Sequence, residues 1–296
     1  MPPEMIAAVS DGVPPATAAA DAIDRPTTII EPSRRFELPS VADVWANRDL
    51  LWLLAYRNVS VRYKETLLGV GWAILQPLLS MVVFTLLFGM LARLPSGDVP
   101  YPLFSFTGLL PWTYFASALG NASTAMVANA NLLTKVYFPR IILPLAAVLS
   151  SLIDFVLAFG VLLLMLAWYG IGIGPAIVLV VPVIAFTALC ALAAALWLAT
   201  MSVRYRDVRF ITPFLLQLWM FASPVVYAST AVPERLRFAY QLNPLCGLID
   251  AFRRAVLGRG DVPWIPLALS LAATALVFIT GAVYFRRFER TFADLV

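Results

Sequence analysis

The sequence predicts an all-α polytopic membrane protein: six transmembrane helices, an N-terminal interfacial helix, and external re-entrant or gate helices between spans 5 and 6. Three observations lead there. Hydrophobic residues make up 61% of the chain and charged residues 13%, against about half and about a quarter in soluble domains. Several apolar runs exceed the roughly 18–20 residues that cross a bilayer. Most of the 21 Lys and Arg residues fall between those runs, where they set orientation.

Residues 1–40 hold seven prolines among Ala, Thr, Ser and scattered acids. No basic stretch leads into an apolar run there, so the segment does not read as a signal peptide. It reads as a disordered cytoplasmic tail, and the membrane domain as residues 41–296. Residues 41–64 differ: on a helix, Trp45, Trp52, Tyr56, Val59 and Tyr63 fall within about 60° of arc, with Arg48, Arg57, Arg62 and Lys64 around them. Aromatic rings prefer the headgroup level and cations prefer water, so this helix is expected to lie on the membrane surface.

Six spans follow, near 67–92, 101–126, 141–169, 176–201, 210–228 and 263–285. Pro77, Pro111, Pro144, Pro182 and Pro224 sit within them or at their ends, as neighbouring helices permit. With the N-terminus inside, 15 of the 21 cations lie on the cytoplasmic side, which places both termini in the cytoplasm. Residues 129–140 then form a cytoplasmic loop between spans 2 and 3, and 230–258 an external segment. In the latter, Leu245, Leu248, Ile249, Phe252 and Val256 recur at helical spacing with Arg253 and Arg254 off that face. Such a segment is too polar to span and suits a short re-entrant or interfacial helix, broken at Asn243-Pro244.

The residue inventory excludes several functions. Histidine is absent, which removes the commonest general base and metal ligand. Cys190 and Cys246 are too few for a disulfide framework or a zinc site and read as packing residues. The only lysines, Lys64 and Lys135, follow Tyr63 and Thr134, so no nucleotide-binding P-loop exists. Asp154 is the one ionisable group inside a span, with no second such group to form a proton relay. An enzyme of glycan assembly would have few acids outside the lipid beyond Glu234, Asp250 and Asp261. The basic balance is explained by span ends, so nucleic acid is not expected as a partner. What remains is a conduit. Phe84, Phe88, Trp112, Tyr114, Phe115, Trp219 and Tyr227 near span ends could stack on sugar rings, or serve as an aromatic belt and packing.

Four pieces line up in order: RYKETLLGVGWAILQPLLSMVVFTLLFG, KVYFPRIILPLA, VRYRDVRFITPFLLQLWMFASPVVY and YQLNPLCGLIDAFRRAVLG. Together, over about residues 45–290, they resemble the membrane subunit of ABC-2 type polysaccharide exporters, the permeases of O-antigens, capsules and teichoic acids. The resemblance implies a homodimer in the bacterial inner membrane that recruits two copies of a cytoplasmic ATPase. ATP and Mg would bind that partner, with no cofactor or metal on this chain. The cargo would be a glycan on a polyprenyl pyrophosphate lipid, passing between the two permeases.

By the same resemblance, Asn131 to Arg140 form a coupling helix docked on the ATPase. Leu132, Leu133, Val136 and Tyr137 would fill an apolar groove. Lys135 and Arg140 would meet its acidic rim, while Phe138 and Pro139 turn the chain into span 3. Residues 230–258 would be gate helices. Arg235, Arg237, Arg253 and Arg254 there either contact lipid or pyrophosphate oxygens or form internal salt bridges. Rival readings are an ABC-2 drug or lipid exporter, a membrane enzyme, and an ion-coupled transporter working through Asp154.

Overall fold

The computed structural model describes residues 41–64, 68–258, 263–289 and 292. The tail at 1–40 lies outside the described residues, as do Arg259, Asp261 and Arg290. Every regular element among the described residues is helical. Helix α1 (Val41–Ala46) and α2 (Arg48–Tyr63) are separated at Asn47, whose side-chain amide donates to the Asp43 carbonyl at 2.8 Å. Then come α3 (Gly71–Phe84), extended by π-helical turns over Thr85–Leu91, and α4 (Tyr101–Ala128). The short α5 (Ala130–Lys135) leads to α6 (Ile142–Trp168). A 3-10 turn at Pro175–Leu179 enters α7 (Val180–Arg204), followed by α8 (Val208–Phe221). Last are α9 (Glu234–Gln241), α10 (Pro244–Leu257) and α11 (Trp264–Glu289).

Among the described residues, four helices are long and apolar enough to cross a membrane: Gly71–Leu91, Ile142–Trp168, Pro175–Arg204 and Trp264–Glu289. They coincide with the first, third, fourth and sixth expected spans. The other two differ for separate reasons. Helix α4 has 28 residues and no charge, but Ser105, Thr107, Thr113, Ser117, Asn121, Ser123 and Thr124 dilute its hydropathy. It affords them because it is the innermost helix, packed against α6, α7, α8 and α10. Its hydroxyls bond back to its own carbonyls, as Thr107 does to Phe104 and Ser123 to Gly120, both at 2.8 Å. Expected span 5 is helical only to Phe221. Its 14 residues reach about 21 Å at 1.5 Å per residue, short of a hydrocarbon core of about 30 Å. Pro224 pushes Ser223 away from the α-region, and 222–228 continue as turns.

Helix α10 is enclosed more than its pattern suggested. Leu245, Leu248, Ile249, Phe252 and Val256 are buried, but so are Gly247, Ala251, Arg253 and Ala255. The helix sits among α4, α7 and α11, so its second face packs as well.

Candidate functional site

The 129–140 loop is held at both ends. At its start, the Asn129 amide donates to the Ala125 carbonyl at 2.7 Å and caps α4, while the Arg57 guanidinium of α2 donates to the Asn129 side-chain oxygen. At its end, the Arg140 backbone N–H donates to Glu289 of α11 at 3.2 Å. The other Glu289 oxygen accepts from Arg286 at 3.3 Å. The Arg140 guanidinium lies over the Phe292 ring at 5.9 Å, and that ring packs edge-on against Phe285. Pro139 lines a small cleft with Asp43, Val44, Phe285 and Glu289.

These anchors decide which loop residues face outward. A six-residue amphipathic helix buries one face on its own bundle, and Leu133 and Phe138 are buried there, with Leu132 packed beside them. Asn131, Lys135, Val136 and Tyr137 are exposed, Tyr137 at 83%. The outward surface is thus narrower than the four apolar residues and two cations expected for it. Leu132 and Leu133 serve the chain's own core, and Arg140 turns back toward the end of α11.

Leu51, Leu54 and Ala55 are buried, while Trp45 of α1 and Trp52 and Tyr56 of α2 are exposed. Tyr63 leaves the aromatic stripe: its hydroxyl donates to one Asp154 oxygen and Arg62 pairs with the other. Burial, then the adjacent Asp154, push the Tyr63 hydroxyl up to about 12. The partners of Asp154 thus lie on α2, outside the expected spans.

The cationic cluster at 235–254 is not one surface. Arg235 is exposed and Arg237 stands 4.0 Å from Glu234. Arg253 is buried and pairs internally, in keeping with the salt-bridge alternative rather than the phosphate contact. One guanidinium nitrogen donates to the carbonyls of Pro224 and Val225 at 2.7 and 3.1 Å, and another pairs with Asp250 at 3.4 Å. The Phe104 ring lies 4.0 Å beneath it. Gly108 of α4 makes the room: a Cβ there would stand 2.5 Å from both Arg253 and the Val225 carbonyl. Burial lowers the Arg253 pKa and raises that of Asp250, and each charge opposes the other's shift. Arg254 is only partly buried.

The aromatic set also separates. Trp112, Tyr114 and Phe115 are buried, packed on one another, on Phe155 and on Trp219. They fill the core, in keeping with the packing alternative. Trp219 and Tyr227 are half-buried and committed by hydrogen bonds to Asn243 and the Phe221 carbonyl. Phe84 and Phe88 pack edge to face on the outer helix formed by α3 and its π-helical extension.

Residues 49–257 match the family model of the ABC-2 type transporter. This chain belongs to the ABC-2 type transporter family. The family match opens in α2 and closes at the end of α10, so it includes the loop, Arg57, Asp154 and Arg253. The O-antigen export system permease protein RfbA of Myxococcus xanthus is 34% identical over 245 residues, 82% of this chain and 93% of its own. A protein of the same name from Klebsiella pneumoniae is 26% identical over 84% of this chain and 95% of its own. The polysialic acid transport protein KpsM of Escherichia coli is 24% identical over 69% and 80%. The ABC-2 type chain is therefore a transporter membrane subunit and a multi-pass membrane protein.

Proposed function

We propose that this chain is the membrane subunit of an ATP-driven exporter that moves a lipid-linked polysaccharide, an O-antigen or similar surface glycan, across the bacterial inner membrane. The observation that carries the reading is the likeness, over nearly their whole length, to relatives named for O-antigen export. The relative named for polysialic acid transport extends it to an acidic polysaccharide.

The geometry supports the remaining parts of this reading. With both termini in the cytoplasm, α4 and the α8 region complete six spans, and α9 and α10 sit at the outer end as gate helices. A cytoplasmic ATPase meets the exposed Lys135, Val136 and Tyr137, with Asn131 beside them. ATP and Mg belong to that partner. The helix over Gly71–Leu91 is scarcely buried, and α8 exposes Phe210, Phe214, Leu215 and Leu218. Faces this apolar suit lipid and a second copy of the chain, in keeping with a homodimer whose conduit runs between the copies.

Deleting the gene tests the export reading: a glycan should accumulate lipid-linked in the cytoplasm and vanish from the surface. An unchanged surface glycan, with a drug or small lipid retained instead, would favour the other branch of the family. The coupling surface has a separate test. Tyr137→Ala with Lys135→Glu should detach the ATPase in co-purification while the permease stays folded.

A further inference from the structure

A second polar site lies between α9, α10 and the 3-10 turn Ser229–Ala231. A cavity of about 140 Å³ there is lined by Ser229, Thr230, Arg237, Tyr240, Gln241 and Asp250, with Pro266 of α11 alongside. It is roomy enough to hold several waters or one sugar ring.

The lining chemistry narrows the occupant. An apolar group would leave the Gln241 amide and the buried Arg237 Nε–H without partners, which enclosed polar groups tolerate poorly. An anion would meet the Asp250 carboxylate. A metal ion would find a single carboxylate there with the guanidiniums of Arg237 and Arg253 close by, and no grouping of three His, Cys, Asp or Glu occurs among the described residues. A neutral polyol offers what the cavity lacks. Adjacent hydroxyls can donate to Asp250 and the Gln241 oxygen. They can also accept from Arg237, whose Nε–H is buried and makes no hydrogen bond, and from Thr230. Tyr240 supplies a ring edge or face for the C–H side of the sugar.

We propose that this cavity is a binding subsite for a single neutral monosaccharide unit. The inference rests on the export reading for its purpose, because it would place a sugar-holding pocket beside the outer gate, inside each protomer. It does not rest on that reading for its chemistry.

The test is saturation-transfer NMR on the full chain in lipid nanodiscs, with D-glucose, D-mannose, D-galactose and N-acetyl-D-glucosamine as separate probes. At least one should bind in the millimolar range. Gln241→Leu and Thr230→Val should each weaken it about tenfold, while the melting temperature and elution profile stay those of the parent. Thr230 is exposed, so its variant keeps the test sound should the Gln241 variant misfold. Binding by none of the four overturns the proposal, as does parental affinity in both variants. Displacement of the sugar by inorganic phosphate overturns it in favour of an anion site. Export without monosaccharide binding removes only the subsite; binding without glycan retention in the deletion strain removes only the export reading.

Discussion

Arg253→Ala separates a structural arginine from a ligand-binding one. The truncation leaves the partly buried Asp250 carboxylate without its cation and strips two carbonyls, at Pro224 and Val225, of a charged donor. Breaking one side of a buried pair costs about 3–5 kcal/mol. The cation–π contact on Phe104 adds up to about 2 kcal/mol when desolvated, though these parts overlap and do not sum. A loss of about 3–5 kcal/mol corresponds to a melting-temperature drop of the order of 10 °C. The loss should also depend on pH. Burial raises the Asp250 pKa above its ordinary 3.8, so its contribution is fully favourable below that value and is lost as pH rises through the folded pKa. Removing Arg253 raises the folded value further. The gap between variant and parent should therefore narrow as pH falls from 7 toward 4.5, and Asp250→Asn in the variant background should recover part of the loss. Thermal melts of the detergent-solubilised protein across that range measure both effects. A variant that melts within 2 °C of the parent at every pH, yet no longer exports, would refute the clamp and return Arg253 to phosphate binding.

Three further outcomes are expected. Gly247→Ala would set a Cβ 2.3 Å from the Pro266 carbonyl and 2.6 Å from the Ser270 hydroxyl, parting α10 from α11 at a cost of about 1–3 kcal/mol, read as a lower melting temperature. Asp154→Asn should weaken the seat of α2 by about 1–2 kcal/mol and leave export active without a pH gradient; abolished export in a protein of parental stability would support ion coupling. Glu289→Ala should lower glycan export per ATP hydrolysed about fivefold by loosening Arg140, worth about 1 kcal/mol, whereas Glu289→Gln, which keeps an acceptor, should retain most of it. Equal effects of the two would show that the carboxylate charge, not the acceptor, is what matters.

Long apolar runs were legible because lipid imposes one rule on every residue in them. Gly71–Leu91 and Ile142–Trp168 follow from hydropathy alone. Composition does not register the backbone break at Ser223-Pro224, so it carries the α8 region past Phe221. The inner face of α10 reads too narrow for a related reason. Periodicity marks one apolar stripe, and a helix enclosed by three neighbours buries residues outside it. Arg253 shows the same limit: a cation in an outer segment reads as solvent-facing until Gly108 and Phe104, some 150 positions away in sequence, are seen to enclose it. Arg57, Arg62 and Glu289 carried no periodic or motif signal. Each acts through one long-range partner, which a single sequence does not display.

Those three residues bear on how force could travel if an ATPase acts at Tyr137. The loop has little slack to absorb a displacement: α5 is under two turns long, Asn129 is tied to α2 and Arg140 to α11. Helix α2 is tied again at Asp154, 12 residues into α6, or about 18 Å along it. A push on the loop should therefore carry α2, α4, α6 and the end of α11 together, because moving any one alone breaks a charged hydrogen bond. Helices α3 and α8, which bury one and two residues, are not tied this way. Their exposed apolar faces can slide against lipid or a second copy at little cost, since neither side holds a directional bond. The relative motion that opens a conduit is thus expected between the braced group and these two helices, not within the loop itself.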